Sequence, residues 1–190
     1  MRAPHAPERL PPHPSEKGET TMKVFSANLD NLRKLYVNQL QMLLSTENQI
    51  TDALPTMIDK ARDVQLKQAF QSHLQETREQ AKRLEQILSA MAGEAKEVKC
   101  KVMAALATEA EDMVKDAADD DVRDAALIAA AQRVEHYEIA SYGAVRHWAQ
   151  LLGETQHAEL LDKTIKEEGH ADHLLTEISN RVNTQAERAA

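Results

Sequence analysis

The sequence predicts an all-α protein of long helices, and three observations lead there. Aromatic residues make up only 3% of the 190-residue chain, against 28% charged and 42% hydrophobic. Five of the six prolines fall in the first fourteen residues, and beyond residue 21 only Pro55 and four glycines remain. A sheet protein needs turn residues every ~8–12 positions and strands rich in aromatic and β-branched side chains, which excludes an all-β or α/β reading. The hydrophobic share is enough for a real core and argues against wholesale disorder.

The elements follow from apolar spacing. A first helix is expected from about Ser26 to Ala61, with Leu32, Tyr36, Leu40, Leu43, Ile50, Leu54 and Met57 at steps of three and four. Pro55 predicts a kink near its end. A second runs from about Asp63 to Met91 through Leu66, Phe70, Leu84 and Ile87, closed by Gly93. A shorter amphipathic helix spans about Val98 to Lys115, and the acidic run that follows reads as a solvated turn and cap. Two more long helices cover about Asp121–Leu152, closed by Gly153, and Thr155–Asn183. The short connections make two antiparallel hairpins, and the ~25-residue crossover between them matches the ferritin-like four-helix topology. Residues 1–21, with three basic and three acidic side chains and no apolar core, read as a disordered tail or upstream extension, leaving residues 22–190 as the domain.

The net charge of −8 argues against nucleic acid or an anionic lipid surface as partner. No apolar run reaches the ~18 residues of a membrane helix. The single cysteine, Cys100, excludes an internal disulfide and a cysteine-based zinc site, and reads as a small buried hydrophobe. The cytoplasm is the expected location.

The apolar stripes are interrupted by acids in register with the leucines. Glu47 breaks the first stripe; His73, Glu76 and Gln80 lie on the second; Glu138, with Glu135 one turn back, on the next long helix; Glu168 and Asp172 on the last. Glu47, Glu76, Glu138 and Glu168 each lie about 15 residues, or roughly 22 Å, from their hairpin turn. Docking the hairpins would bring the acids together at mid-height. A buried ion costs several kcal/mol unless paired or neutralised, and almost no arginine or lysine falls on these stripes. The acids therefore share protons or hold metal, and carboxylate-rich bundle sites suit two divalent ions, iron or manganese. A solvated helix face is the alternative for each acid; the matched heights weigh against it. His73 and Tyr142, one turn from Glu76 and Glu138, and Gln80 are expected to support the ligands through hydrogen bonds rather than bind metal. His136 reads as a polar core or interface residue, Trp148 as packing, and His147, His157, His170 and His173 as surface.

The segments Leu35–Pro55 (LYVNQLQMLLSTENQITDALP), Ala69–Glu85 (AFQSHLQETREQAKRLE), Val98–Cys100 (VKC) and Asp124–Gly143 (DAALIAAAQRVEHYEIASYG) closely resemble the YciF/YciE-type bacterial ferritin-like proteins, in order and over nearly all of residues 24–188. The resemblance implies a ferritin-like bundle, often dimeric, associated with stress responses. The chain is more distantly similar to rubrerythrins and manganese catalases. Glu135-His-Tyr-Glu138 matches the E-x-x-E spacing of the third rubrerythrin bundle helix, and Glu47, Glu76 and Glu168 match the glutamates of the other three. Those proteins carry a histidine three residues after the second- and fourth-helix glutamates, where this chain has Glu79 and Ala171. Glu167-x-x-His170 offers that pattern in another frame, off the stripe.

The expected metal ligands are thus Glu47, Glu76, Glu135, Glu138, Glu168 and Asp172, supported by His73, Gln80 and Tyr142. The expected function is ferrous iron oxidation or peroxide removal at a dinuclear centre in a homodimer, with dioxygen or peroxide as the small oxidant. The rival is a non-enzymatic, dimeric stress module with a structural or degenerate site, acting through partner binding; the missing histidines favour it.

Overall fold

A computed structural model describes residues 28–189; the expected tail over residues 1–21 and the start of the first helix at Ser26 lie outside them. The described chain is all-α: α1 (Leu32–Lys60), α2 (Val64–Ala92), α3 (Lys101–Asp116), α4 (Asp120–Leu151) and α5 (Thr155–Glu187), with no strand among the described residues. The caps explain the boundaries. Asn31 is extended and its side chain accepts from Lys34 N at 2.9 Å, which starts α1. Asp63 and Asp119 cap α2 and α4 in the same way. Gly93 and Gly153 turn the chain out of α2 and α4 at φ +77°, a conformation that disfavours any residue with a Cβ. α1 runs through Pro55 to Lys60, and α5 continues four residues past Asn183.

α1 packs on α2 and α4, and α5 packs on α4 and α2, while α3 lies outside against α4 and α1. The buried side chains form two apolar layers. One holds Leu54 of α1, Leu66 and Phe70 of α2, Leu127 and Ile128 of α4, and Leu175 and Ile178 of α5. The other holds Tyr36, Leu40 and Leu43 of α1, Leu84, Ile87 and Leu88 of α2, Tyr142 and Val145 of α4, and Leu161 of α5. α2 and α4 both begin in the first layer and end in the second, so they run parallel. The crossover makes this possible. Residues 93–100 return along α1, with Val98 N donating to Gln41 O at 3.1 Å and Asn48 Nδ2 to Glu97 at 2.8 Å.

Two local readings change. Cys100 is not inside a helix but caps α3; it is fully buried, its Sγ 3.4 Å from Met103 N and 3.1 Å from the Tyr137 hydroxyl. The extended run against α1 keeps residues 98–99 out of the helix. The acidic stretch is not wholly solvated either. Asp124 is buried at 2% exposure and accepts from Arg62 N at 2.8 Å and Asp63 N at 2.6 Å, so α4 holds the α1–α2 turn.

Candidate metal centre

Between the two apolar layers lies a third, polar one. Its buried members are Glu47 of α1, His73, Thr77 and Gln80 of α2, Glu135 and Glu138 of α4, and Thr164 and Glu168 of α5. Each occupies a position that helical spacing turns inward, so the backbone leaves them no route to solvent.

His73, Glu135, Glu138 and Glu168 come together most closely: one ligand atom from each lies within 4.8 Å of all the others. His73 Nε2 is 3.3 Å from Glu135 Oε1 and 4.0 Å from Glu168 Oε2. Glu47 adjoins this set at 0% exposure and accepts a hydrogen bond from the Tyr142 hydroxyl. Gln80 Nε2 donates to Glu168 Oε1. Many polar atoms are left over. Both oxygens of Glu138, one each of Glu47, Glu135 and Glu168, and both ring nitrogens of His73 are buried with no hydrogen-bond partner.

Burial pushes the carboxyls of Glu47, Glu135 and Glu138 well above the usual range, and their mutual charges and that of Glu168 add to it. Glu168 is also raised by burial, against the opposing pull of His73. Among the described residues, no lysine or arginine hydrogen-bonds to these acids. Arg83 makes a two-pronged ion pair with Glu167, at 2.6 and 2.8 Å, and a 2.7 Å bond to Thr164, but it does not reach the central acids. A buried acid left in this state costs several kcal/mol. A divalent cation could take one ligand atom from each of His73, Glu135, Glu138 and Glu168. Carboxylate oxygens with one imidazole suit a divalent metal ion by ligand type, so the donor set fits such an ion.

The remaining sequence candidates sit further out. Glu76 is half-buried, its Oε2 3.8 Å from His73 Nδ1, and the nearby His73 ring lowers its pKa. Asp172 lies at the edge of α5, accepting from Gln132 Nε2 at 3.1 Å, with His136 Nε2 at 3.4 Å. Neither joins the four-residue set. His73, expected in a supporting role, is inside it. His136, expected in the core or an interface, is exposed at 70% of its side chain. Glu167 is taken by Arg83 and His170 is exposed, so the alternative frame brings no second histidine inward.

The comparisons with known proteins agree with this architecture. A family model described as "Domain of unknown function (DUF892)" matches residues 31–188. Protein YciF of Escherichia coli (strain K12) is 39% identical over 165 residues, covering 86% of this chain and 99% of that protein. The crystal structure of the E. coli stress protein YciF superposes with a TM-score of 0.77 at 37% identity, over 81% of this chain and 98% of that one. YcfI from Rhodopseudomonas palustris gives 0.77 at 38%, over 80% and 97%. A protein from Xanthomonas campestris pv. campestris, at 19% identity and a TM-score of 0.67 over 84% and 99%, shares the fold. With a family model spanning nearly all of the described helices and a relative matched almost end to end, the chain belongs to the DUF892 family, the YciF-type family that its motifs resemble.

Proposed function

We propose that this is a ferritin-like, four-helix stress protein that binds two divalent metal ions, iron or manganese, in its polar mid-layer and oxidises ferrous iron or removes peroxide. The observation that carries the reading is the set of unpartnered, buried ligand atoms on His73, Glu135, Glu138 and Glu168, with Glu47 beside them. Those four would hold one ion. Glu47, with Glu138 and Glu168 shared, would hold the second. Bound metal would supply a redox couple and a place for dioxygen or peroxide. The chain's own residues do the rest: Tyr142 orients Glu47, Gln80 fixes one oxygen of Glu168, and the second apolar layer closes one side. The relative's description as a stress protein supports the stress role. A cytoplasmic homodimer without nucleic-acid or membrane partners is the form we propose.

The second reading, a non-enzymatic dimeric module with a degenerate site, is favoured by one observation. Gln80 and Tyr142 satisfy carboxylate oxygens by hydrogen bonding, in place of metal. Metal content decides between them. Protein produced in iron- and manganese-supplemented medium should carry about two ions per chain, as carboxylate bundle sites do, and the Glu47→Ala/Glu168→Ala variant should carry none. No metal in either, with equal helical content, would sink the metal reading.

A further inference from the structure

Beside the first apolar layer lies a half-open cavity of about 430 Å³ lined by all five helices. That lies within the ~300–1,000 Å³ of small-molecule sites. Alanines keep it open: Ala53 of α1, Ala69 of α2, Ala107 of α3, Ala131 of α4 and Ala171 of α5 all face it, and α1 and α3 touch only lightly. Its deeper walls are core side chains, Leu54, Phe70, Met103, Leu127 and Leu175, each at most 3% exposed, while exposed Asp52, Lys60, Ser72 and Glu111 stand at its mouth. One end is different in kind. His73 and Glu135 of the polar layer line it, with Glu76 and His170 nearby.

We infer that this cavity binds a neutral small molecule with an apolar body and a single hydrogen-bonding head, such as a medium-chain alcohol or hydroperoxide, the head lying against His73 and Glu135. The body follows from the walls. The unfilled apolar walls at its inner part lose contact energy, and water finds few partners against them. The head follows from the far end, where His73 Nδ1 and Nε2 and Glu135 Oε2 are buried without partners. A carboxylate head would enter beside Glu76 and Glu135 and lose its hydration, so a neutral one is selected. The site goes beyond the metal reading but shares His73 and Glu135 with it, so it is tested on metal-free protein.

The test uses full-length, chelator-treated protein and the neutral fluorophore N-phenyl-1-naphthylamine. Saturable fluorescence at about one probe per chain is expected, weakened at least about tenfold (about 1.4 kcal/mol) by Ala53→Phe or Ala107→Phe. Ala105→Phe, at an exposed position of α3 away from the cavity, should leave it unchanged. Octan-1-ol should displace the probe at lower concentration than octanoate. The methyl resonances of Met57 and Met103, which line the cavity, should shift when octan-1-ol is added to the wild type, while that of Met91 in the other layer stays still. This last readout stands even if the phenylalanine variants fail to fold. No saturable binding, equal binding in correctly folded Ala53→Phe and Ala107→Phe, tighter competition by octanoate, or shifts at Met91 alone would overturn the inference. Because the protein is metal-free throughout, a failed metal assay leaves these results unaffected.

Discussion

Glu138→Gln should stabilise the metal-free protein, and by an amount that depends on pH. Glu138 is 1% exposed and neither of its oxygens has a partner. Burial first, then the charges of Glu47, Glu168 and Glu135, holds its carboxyl well above the ordinary value of 4.5. In the unfolded chain it titrates near that ordinary value. Between the two values the unfolded state binds fewer protons, so the contribution is fully present below about pH 4.5 and is lost as pH rises toward the folded value. The slope is about 1.4 kcal/mol per pH unit. Over the roughly three units to about pH 7.5 that sets a ceiling of about 4 kcal/mol. Glutamine cannot ionise and keeps the same shape, so it escapes this loss. The chelator-treated variant should therefore be more stable than wild type near pH 7.5, by no more than that ceiling, and closer to wild type near pH 5. Urea denaturation at the two pH values measures both differences. Adding manganese at about a hundredfold excess over its dissociation constant should return about 2.7 kcal/mol to wild type and much less to the variant. A variant less stable than wild type at both pH values, or one that gains equally from manganese, would refute the reasoning.

Asp124→Ala removes the acceptor of two part-buried backbone N–H groups, at about 1.5–3 kcal/mol each for a charged partner, so a loss of about 3–5 kcal/mol is expected in denaturant titration. Asp124→Asn keeps one acceptor and should lose about half as much. Tyr142→Phe strips Glu47 of its hydrogen-bond donor and should cost the metal-free protein about 1–3 kcal/mol, with a smaller loss in metal-loaded protein, as thermal melts of both forms would record. Glu168→Gln should weaken manganese binding at least about tenfold in calorimetry, whereas Glu76→Gln and Asp172→Asn, outside the close set, should change it by less than about threefold.

The sequence carried the helices and the mid-layer acids because both depend on spacing alone. Glu47, Glu138 and Glu168 stand in register with leucines, and the structure buries all three. Glu76 shows where spacing becomes ambiguous. From His73 a helical stripe advances by three or four residues, and the structure continues through Thr77 and Gln80, leaving Glu76 half-buried. The same rotation carries His73 inward. Asp124 was hidden in an acidic run because its partners, the N–H groups of Arg62 and Asp63, are some sixty residues away and carry no side-chain signature. The contact between Cys100 and Tyr137 was hidden likewise: it depends on how the crossover lies on α1. The cavity was the least legible feature, since alanines scattered over five helices announce nothing until those helices are placed.

The two apolar layers are each assembled from all four long helices, so the chain's division into hairpins and the core's division into layers run at right angles. Severing the crossover would halve both layers at once. Altering the acids between them leaves the helices that build both layers continuous, because the same helices pass through the seam. The mid-layer thus works like a keyway in a laminated beam. It can be filled, emptied or recharged while the plates on either side keep their grip, and any strain it develops is shared between the two ends rather than concentrated at one.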